Sequence, residues 1–235
     1  MRDIKDQNGI CNGNGNETEH RVPVKYTKGL VLVISGPAGS GKGTVVAELL
    51  AEPESNSVLS VSATTRAPRP GEIDGKSYHF ITREDFESRI ERSEMLEYNC
   101  YCNNEYYGTP AKNALEIIAS GKNLILEIDV NGGMHVKERY PDAVLIMLLP
   151  PDIVVQEERL NTRGTEPPEI IKKRVEQAKR EIEYLKYYDY IVYNEDGGVG
   201  KAVNDILTII RAEKLSVRHN SDAADKFLCT KNADR

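Results

Sequence analysis

A run of apolar residues, Leu30-Val31-Leu32-Val33-Ile34, ends at Ser35 and turns directly into Gly36-Pro37-Ala38-Gly39-Ser40-Gly41-Lys42-Gly43-Thr44. The Val/Ile-rich run reads as a buried strand, and Val45-Val46-Ala47-Glu48-Leu49-Leu50 beyond the glycines reads as a helix. Glycines at 36, 39 and 41 allow the turn to point backbone N–H groups inward without Cβ clashes. The helix opening near Lys42 presents the positive end of its dipole to the same spot, and Lys42 adds a full charge for the β- and γ-phosphates. The spacing Gly-x-x-x-x-Gly-Lys is intact, but Gly43 stands where Ser or Thr is usual, and Thr44 comes one place later. Glycine-rich turns match this spacing by chance. The strand before it and the helix after it give the match its weight and point to a bound polyphosphate.

That strand opens a repeating pattern. Further apolar runs at residues 58–62, 124–129, 144–149 and 190–193 read as buried parallel strands. Helical patterns at 42–51, 111–120, 152–161, 169–186 and 200–214 separate most of them. In the last but one, Ile170, Ile171, Val175, Ala178, Ile182 and Leu185 form the expected apolar stripe. Alternation of this kind predicts an α/β fold, a parallel sheet with helices on both faces, and ligands outside the carboxyl ends of the strands. Residues 66–108 break the pattern. Short alternating pieces flank an acidic helical stretch at 83–91, which predicts a small mixed insert on the rim of the sheet. Residues 1–28 are polar, with Asn-Gly steps and no periodicity, and are expected to be a disordered extension. Residues 216–235 are expected to be a flexible tail in which Phe227-Leu228 offers a docking point.

Composition narrows the function classes. The 235-residue chain is 39% hydrophobic, enough for one sizeable core. Its net charge of −6 removes the global basic field expected of a nucleic-acid binder. No apolar run reaches membrane-spanning length, and the N-terminus lacks a signal-like apolar stretch. Cys11, Cys100, Cys102 and Cys229 are scattered, and Cys100-x-Cys102 has no partner pair for zinc. A reduced, cytoplasmic protein that binds neither membrane nor nucleic acid is the expectation. Oligomeric state is not legible.

After the second run comes Ser62-Ala63-Thr64-Thr65-Arg66-Ala67-Pro68-Arg69-Pro70-Gly71-Glu72. Pro68 and Pro70 rule out an ordinary helix and hold the segment extended. Two planar guanidiniums, Arg66 and Arg69, on a stiff loop at the ligand edge of the sheet suit a bidentate grip on a dianionic phosphate. Tyr78 and Tyr107 can add hydroxyl donors. A solvated basic turn is the plain alternative for the two arginines taken alone.

With these segments in view, the chain resembles the guanylate kinases over about residues 29–214. The likeness rests on Gly36 to Thr44, on Ser60 to Glu72 with Tyr78, on Glu105-Tyr106-Tyr107-Gly108-Thr109, on Leu126-Glu127-Ile128-Asp129, and on Arg159 to Glu166. The resemblance implies a P-loop three-layer fold: a five-stranded parallel sheet, a small mixed GMP-binding insert at about 63–109 and a helical lid at about 159–175. It implies ATP-dependent phosphorylation of GMP to GDP, with ATP and GMP as partners. Residue by residue, it implies guanine contacts from Ser62, Glu97 and Thr109. It implies phosphate contacts from Arg66, Arg69, Tyr78 and Tyr107, and acidic positions at Glu127 and Asp129. It further implies lid arginines at Arg159, Arg163 and Arg174, and an adenine contact from Asn194. Magnesium is expected to arrive with the nucleotide, held by phosphates and water, with Thr44 and Asp129 as the candidates to touch it. Many members carry Asp where Glu127 stands and Gln where Asn131 stands. Gly43 itself fits small-nucleotide kinases, in which Gly-Lys-Gly-Thr is common.

The chemistry is consistent with that resemblance. A carboxylate such as Glu97 accepts both the N1–H and the 2-amino group of guanine, while adenine leaves it unpaired, at roughly 2–5 kcal/mol. Glu127 and Asp129, two apart on an expected strand, would face one side. Phosphoryl transfer to a phosphate needs alignment and charge neutralisation rather than a base, so His79 and His135 are expected to be ordinary polar residues. Two other readings remain at this stage: a non-catalytic interaction module of the same fold, and a related kinase with another monophosphate acceptor.

Overall fold

The computed structural model describes residues 28–100, 104–162 and 167–229. Along the chain, β1 (Val31–Ser35) leads through the glycine turn into α1 (Lys42–Ala51) and back to β2 (Ser57–Leu59). β3 (Ala63–Thr64), β4 (His79–Phe80), α2 (Arg83–Glu91), β5 (Met95–Cys100) and β6 (Tyr106–Pro110) come next. Then follow α3 (Ala111–Ala119), β7 (Asn123–Glu127), α4 (Val130–Arg139), β8 (Val144–Leu149), α5 (Ile153–Thr162), α6 (Pro168–Ile182), β9 (Tyr190–Tyr193), α7 (Val199–Leu215) and α8 (Ala223–Cys229).

The five expected runs form one parallel sheet in the order β2-β7-β1-β8-β9. Side chains alternate across it. Leu32 and Ile34 of β1 pack with Val46 and Leu49 of α1 and Ile206 and Ile210 of α7. Val33, between them, packs with Leu124, Leu126, Ala114 and Val136 on the opposite face. Helices on both faces make the three layers that continuous apolar strands require.

The second run is shorter in the sheet than expected. Pairing with β7 stops at Leu59, and the chain crosses at Ser62 to a separate four-stranded sheet, β4-β3-β6-β5. This mixed sheet is the rim insert, with its own small core of Ala63, Phe86 and Met95. Its helix α2 begins where Thr82 accepts a hydrogen bond from the Asp85 amide at 3.2 Å.

Three sequence expectations need correcting. The strand at β7 ends at Glu127, and Asp129 is instead the N-cap of α4, accepting from the Gly132 amide at 2.8 Å. α4 itself had no strong pattern, because Gly132 and Gly133 lie inside it. α6 stops at Ile182 and is rotated from its expected stripe: Ile171 and Ala178 are buried, but Ile170 and Ile182 are exposed. The tail is not featureless as far as Cys229; it forms a 3-10 turn at Val217–His219 and then α8, on which Phe227 and Leu228 are largely exposed. The polar extension, apart from Lys28, lies outside the described residues. Among the described residues no helix is long and apolar enough to cross a membrane.

Candidate active site

Clefts open around the glycine turn at the carboxyl edge of the main sheet, and two of them hold the site residues read from the sequence. The turn is shaped by left-handed backbone at Gly39 (φ 87°) and Gly41 (φ 83°), which side chains rarely tolerate. Gly36 is needed for space, since a Cβ there would sit 2.0 Å from the Leu148 carbonyl oxygen. Lys42 opens α1 and donates its Nζ to the carbonyls of Gly36 at 2.6 Å and Pro37 at 3.3 Å. The ammonium thus lies back along the loop.

The first cleft, a cavity of about 540 Å³, lies between the turn and the rim sheet. Its walls include Lys42, Ser62, Arg69, Tyr78, Glu97, Tyr107, Glu127, Asp129 and, from α6, Arg174. Glu97 and Thr109 are direct cross-strand partners of β5 and β6, and the Thr109 hydroxyl donates to Glu97 Oε1 at 2.8 Å. Glu97 is only 6% exposed. Burial pushes its carboxyl up to about 7; the Thr109 bond opposes that rise and the charge of Asp129 adds to it. Glu127 is likewise raised by burial, with Lys42 pulling the other way. Tyr78 and Tyr107 meet edge to face with ring centroids 5.9 Å apart, and burial raises the Tyr78 phenol.

Arg66 is stationed differently from Arg69. Its guanidinium forms a two-point pair with Glu72, both bonds 2.6 Å, and also donates to the Ala67 carbonyl at 2.8 Å and to the Tyr107 hydroxyl at 3.0 Å. It stacks over Tyr78 at 5.1 Å and Phe80 at 5.6 Å. Four of its five N–H groups are therefore committed within the protein. The Arg66 bond is the main reason that the Glu72 carboxyl falls to about 2. Glu72 Oε2 also accepts from the Arg69 amide at 2.7 Å, so one carboxylate ties the proline loop to both arginines. The Arg69 side chain, exposed at the cavity wall, remains available to an anion.

The second cleft, about 520 Å³, runs along the other side of the turn past Gly39, Gly41, Thr44, Arg159, Asn194 and Asp196. Asn194 Nδ2 donates to the Ser40 carbonyl at 2.8 Å, and a Cβ on Gly41 would lie 2.3 Å from that nitrogen. Among the described residues its Oδ1, like the Ser40 hydroxyl, is buried without a partner. Arg159 belongs here as well. It pairs with Asp196 at 2.7 Å and donates to the Asn194 carbonyl at 2.8 Å. It walls the second cleft, while Arg174 walls the first. Arg163 lies outside the described residues. Thr44 faces the second cleft and Asp129 the first, and among the described residues no three metal-ligating side chains cluster.

Sequence reasoning missed Glu72, Asp196 and the glycine pair of α4. Glu72 was inside the quoted segment, and its place three residues after Arg69 in a proline turn was a readable signal. The Arg159–Asp196 pair spans 37 residues and had none.

A family model described as guanylate kinase matches residues 28–213. A curated guanylate kinase of Halalkalibacterium halodurans is 51% identical over 79% of this chain and 89% of its own length. That of Lactobacillus delbrueckii subsp. bulgaricus is 47% identical over 86% and 97%. The crystal structure of guanylate kinase from Anaplasma phagocytophilum superposes with a TM-score of 0.65 at 32% identity, covering 82% of this chain and 90% of that one. With a family model matched over residues 28–213 and curated relatives 47–51% identical over most of the chain, the chain belongs to the guanylate kinase family.

Proposed function

We propose that the first cleft takes GMP and the second takes the nucleoside of ATP, so that the two phosphate chains meet beside Lys42. As a guanylate kinase, the chain converts ATP and GMP to ADP and GDP. The observation that carries the division of the site is the buried Glu97 carboxylate, held by Thr109 in the cleft that also presents Arg69. Glu97 accepts the N1–H and 2-amino donors of guanine, and Ser62 offers a hydroxyl to O6, while the Thr109 hydroxyl, already donated to Glu97, fixes the carboxylate. Arg69, Tyr78 and Tyr107 hold the acceptor phosphate, and Arg66 acts one step back by fixing Tyr107 and the proline loop. An acceptor oxygen attacks the γ-phosphorus while the bond to the β,γ-bridging oxygen breaks, and no proton need move.

The glycine-turn amides and Lys42 stabilise the donor phosphates, and Arg174 adds charge from the acceptor side. Asn194 and Arg159 border the donor nucleoside. Thr44 and Asp129 line the two clefts, where a magnesium ion carried in by the nucleotide would neutralise phosphate charge. We place the enzyme in the cytoplasm, on the scattered cysteines. Assaying ATP with GMP, AMP, CMP and UMP in turn tests the acceptor assignment. Turnover with GMP alone is expected, whereas comparable turnover with AMP would refute Glu97 as the base reader.

A further inference from the structure

Helix α4 opens with a glycine that the helix itself does not require. Gly132 is its third residue, and its amide donates to the capping Asp129 at 2.8 Å. That position in a capped helix commonly carries Glu or Gln, so the cap leaves room for a side chain. Its φ is not positive, and alanine in its place would favour the helix. The neighbouring Gly133 has a packing reason, since a Cβ there would lie 2.9 Å from the Tyr188 hydroxyl and 3.4 Å from Val33. Gly132 instead lines the first cleft. A Cβ on it would lie 3.3 Å from Glu97 Oε2, 3.3 Å from Ile128 Cδ1 and 3.4 Å from Asp129 Oδ1. Ile128 is half-buried, and the end of its chain can turn aside. The Glu97 carboxylate has no such freedom, because β5 pairs with β6 at Thr109 and the Thr109 hydroxyl holds Oε1 at 2.8 Å. Oε2 is thus the oxygen that borders the space beside Gly132.

We propose that Gly132 is a specificity-determining residue for the acceptor base: by lacking a side chain it keeps open the space at Glu97 Oε2 that receives the 2-amino group of guanine. The inference rests on the reading of Glu97 as the base reader of the first cleft. Oε1, already crowded by the Thr109 hydroxyl, takes the single ring N1–H. Oε2 takes the amino group, whose two hydrogens need clear space on both sides. The 2-amino edge of the base then lies against the first turn of α4. A methyl group at position 132 would press on Oε2 and fill the side from which the amino group approaches. Inosine monophosphate carries the same N1–H and O6 without the 2-amino group, so the methyl takes little from it. A site built to pair a substrate donor rejects the analogue that lacks it, and closing that one subsite erases the difference.

The test compares GMP with inosine monophosphate on the parent, Gly132→Ala, Glu97→Gln and the double variant, with Gly200→Ala as the control. Gly200 lies in the first turn of α7, where a Cβ would meet nothing within 4 Å. Affinity for GMP is read by calorimetric titration, and affinity for inosine monophosphate by competition against GMP. In Gly132→Ala the Kd for GMP should rise about tenfold or more, with that for inosine monophosphate within about threefold of the parent. Its melting temperature should not fall, because alanine favours the helix. Gly200→Ala should bind both ligands as the parent does. Since Gly132 acts through Glu97, adding Gly132→Ala to Glu97→Gln should weaken GMP by no more than about threefold. A Gly132→Ala protein that keeps the parent's preference for GMP overturns the proposal. So does an equal loss of both ligands or a fall in melting temperature, each the mark of a cleft or core disturbed as a whole. If Glu97→Gln keeps the preference, the reading of Glu97 as base reader falls and the role of Gly132 with it. If Glu97→Gln loses the preference and Gly132→Ala keeps it, only the role of Gly132 falls.

Discussion

Glu97 should make GMP binding release a proton. In the free protein its carboxyl is raised from an ordinary 4.5 to about 7, mainly by burial. At 1.36 kcal/mol per pH unit, that is about 3 kcal/mol of preference for the neutral form in the folded state. The sign follows from proton binding. Between about pH 4.5 and 7 the folded chain holds this proton better than the unfolded chain does. Stability from this group is therefore full below 4.5 and is lost as pH rises through 7. Guanine reverses the preference, because only the carboxylate accepts from both N1–H and the 2-amino group. Near pH 7 about half of the free protein is protonated at Glu97, so GMP binding should expel about 0.5 proton, rising towards about 0.9 at pH 6 and falling to about 0.1 at pH 8. Affinity for GMP should weaken about tenfold from pH 8 to pH 6 on this account.

Calorimetric titration of GMP in buffers of different ionisation enthalpy measures the released proton directly. Glu97→Gln provides the reference, since protonation of the GMP phosphate (second pKa about 6) affects both proteins alike. The variant should lose the extra release, bind GMP more weakly by roughly 2–5 kcal/mol, bind ATP unchanged, and melt higher than the parent at pH 8. Equal proton release by parent and variant at pH 7 would refute the reasoning. An equal loss of ATP and GMP affinity would refute the assignment of Glu97 to guanine.

Three further outcomes follow from the geometry. Glu72→Gln removes the charge that fixes Arg66, so KM for GMP should rise on the order of tenfold or more, with KM for ATP unchanged in steady-state kinetics. Arg159→Ala should do the reverse, raising KM for ATP while leaving GMP nearly untouched; a loss confined to kcat would return Arg159 to the transferring phosphate. Gly133→Ala would put a Cβ 2.9 Å from the Tyr188 hydroxyl, and should lower stability by about 1–3 kcal/mol in denaturant unfolding.

The main sheet was readable because strands buried on both faces appear as continuous apolar runs, and β1, β7, β8 and β9 do so. The donor loop was readable because its glycines answer a local steric demand. α4 was not, because each glycine disfavours a helix by about 1 kcal/mol, and the reason for Gly132 lies elsewhere: a Cβ there would sit 3.3 Å from Glu97 Oε2, on a strand more than thirty residues away. The rotation of α6 was hidden for a similar reason. Apolar periodicity favoured Ile170 and Ile182 as inward residues, whereas both are exposed and Arg174 of the same helix lines the first cleft. The Arg66–Glu72 pair was near in sequence but unread, since two arginines beside prolines look free until a carboxylate folds back on one of them.

The bond from Asn194 to the Ser40 carbonyl joins positions 154 residues apart. It gives the enzyme an order of assembly. The phosphate turn leaves the ribosome directly after β1, yet the residue that buttresses it follows β9, the last strand of the main sheet. At about 5–20 residues per second, roughly 8–30 s of synthesis separate the two. Throughout that interval the nascent chain carries the motif without its support, and competence to hold a donor nucleotide arrives only as β9 docks.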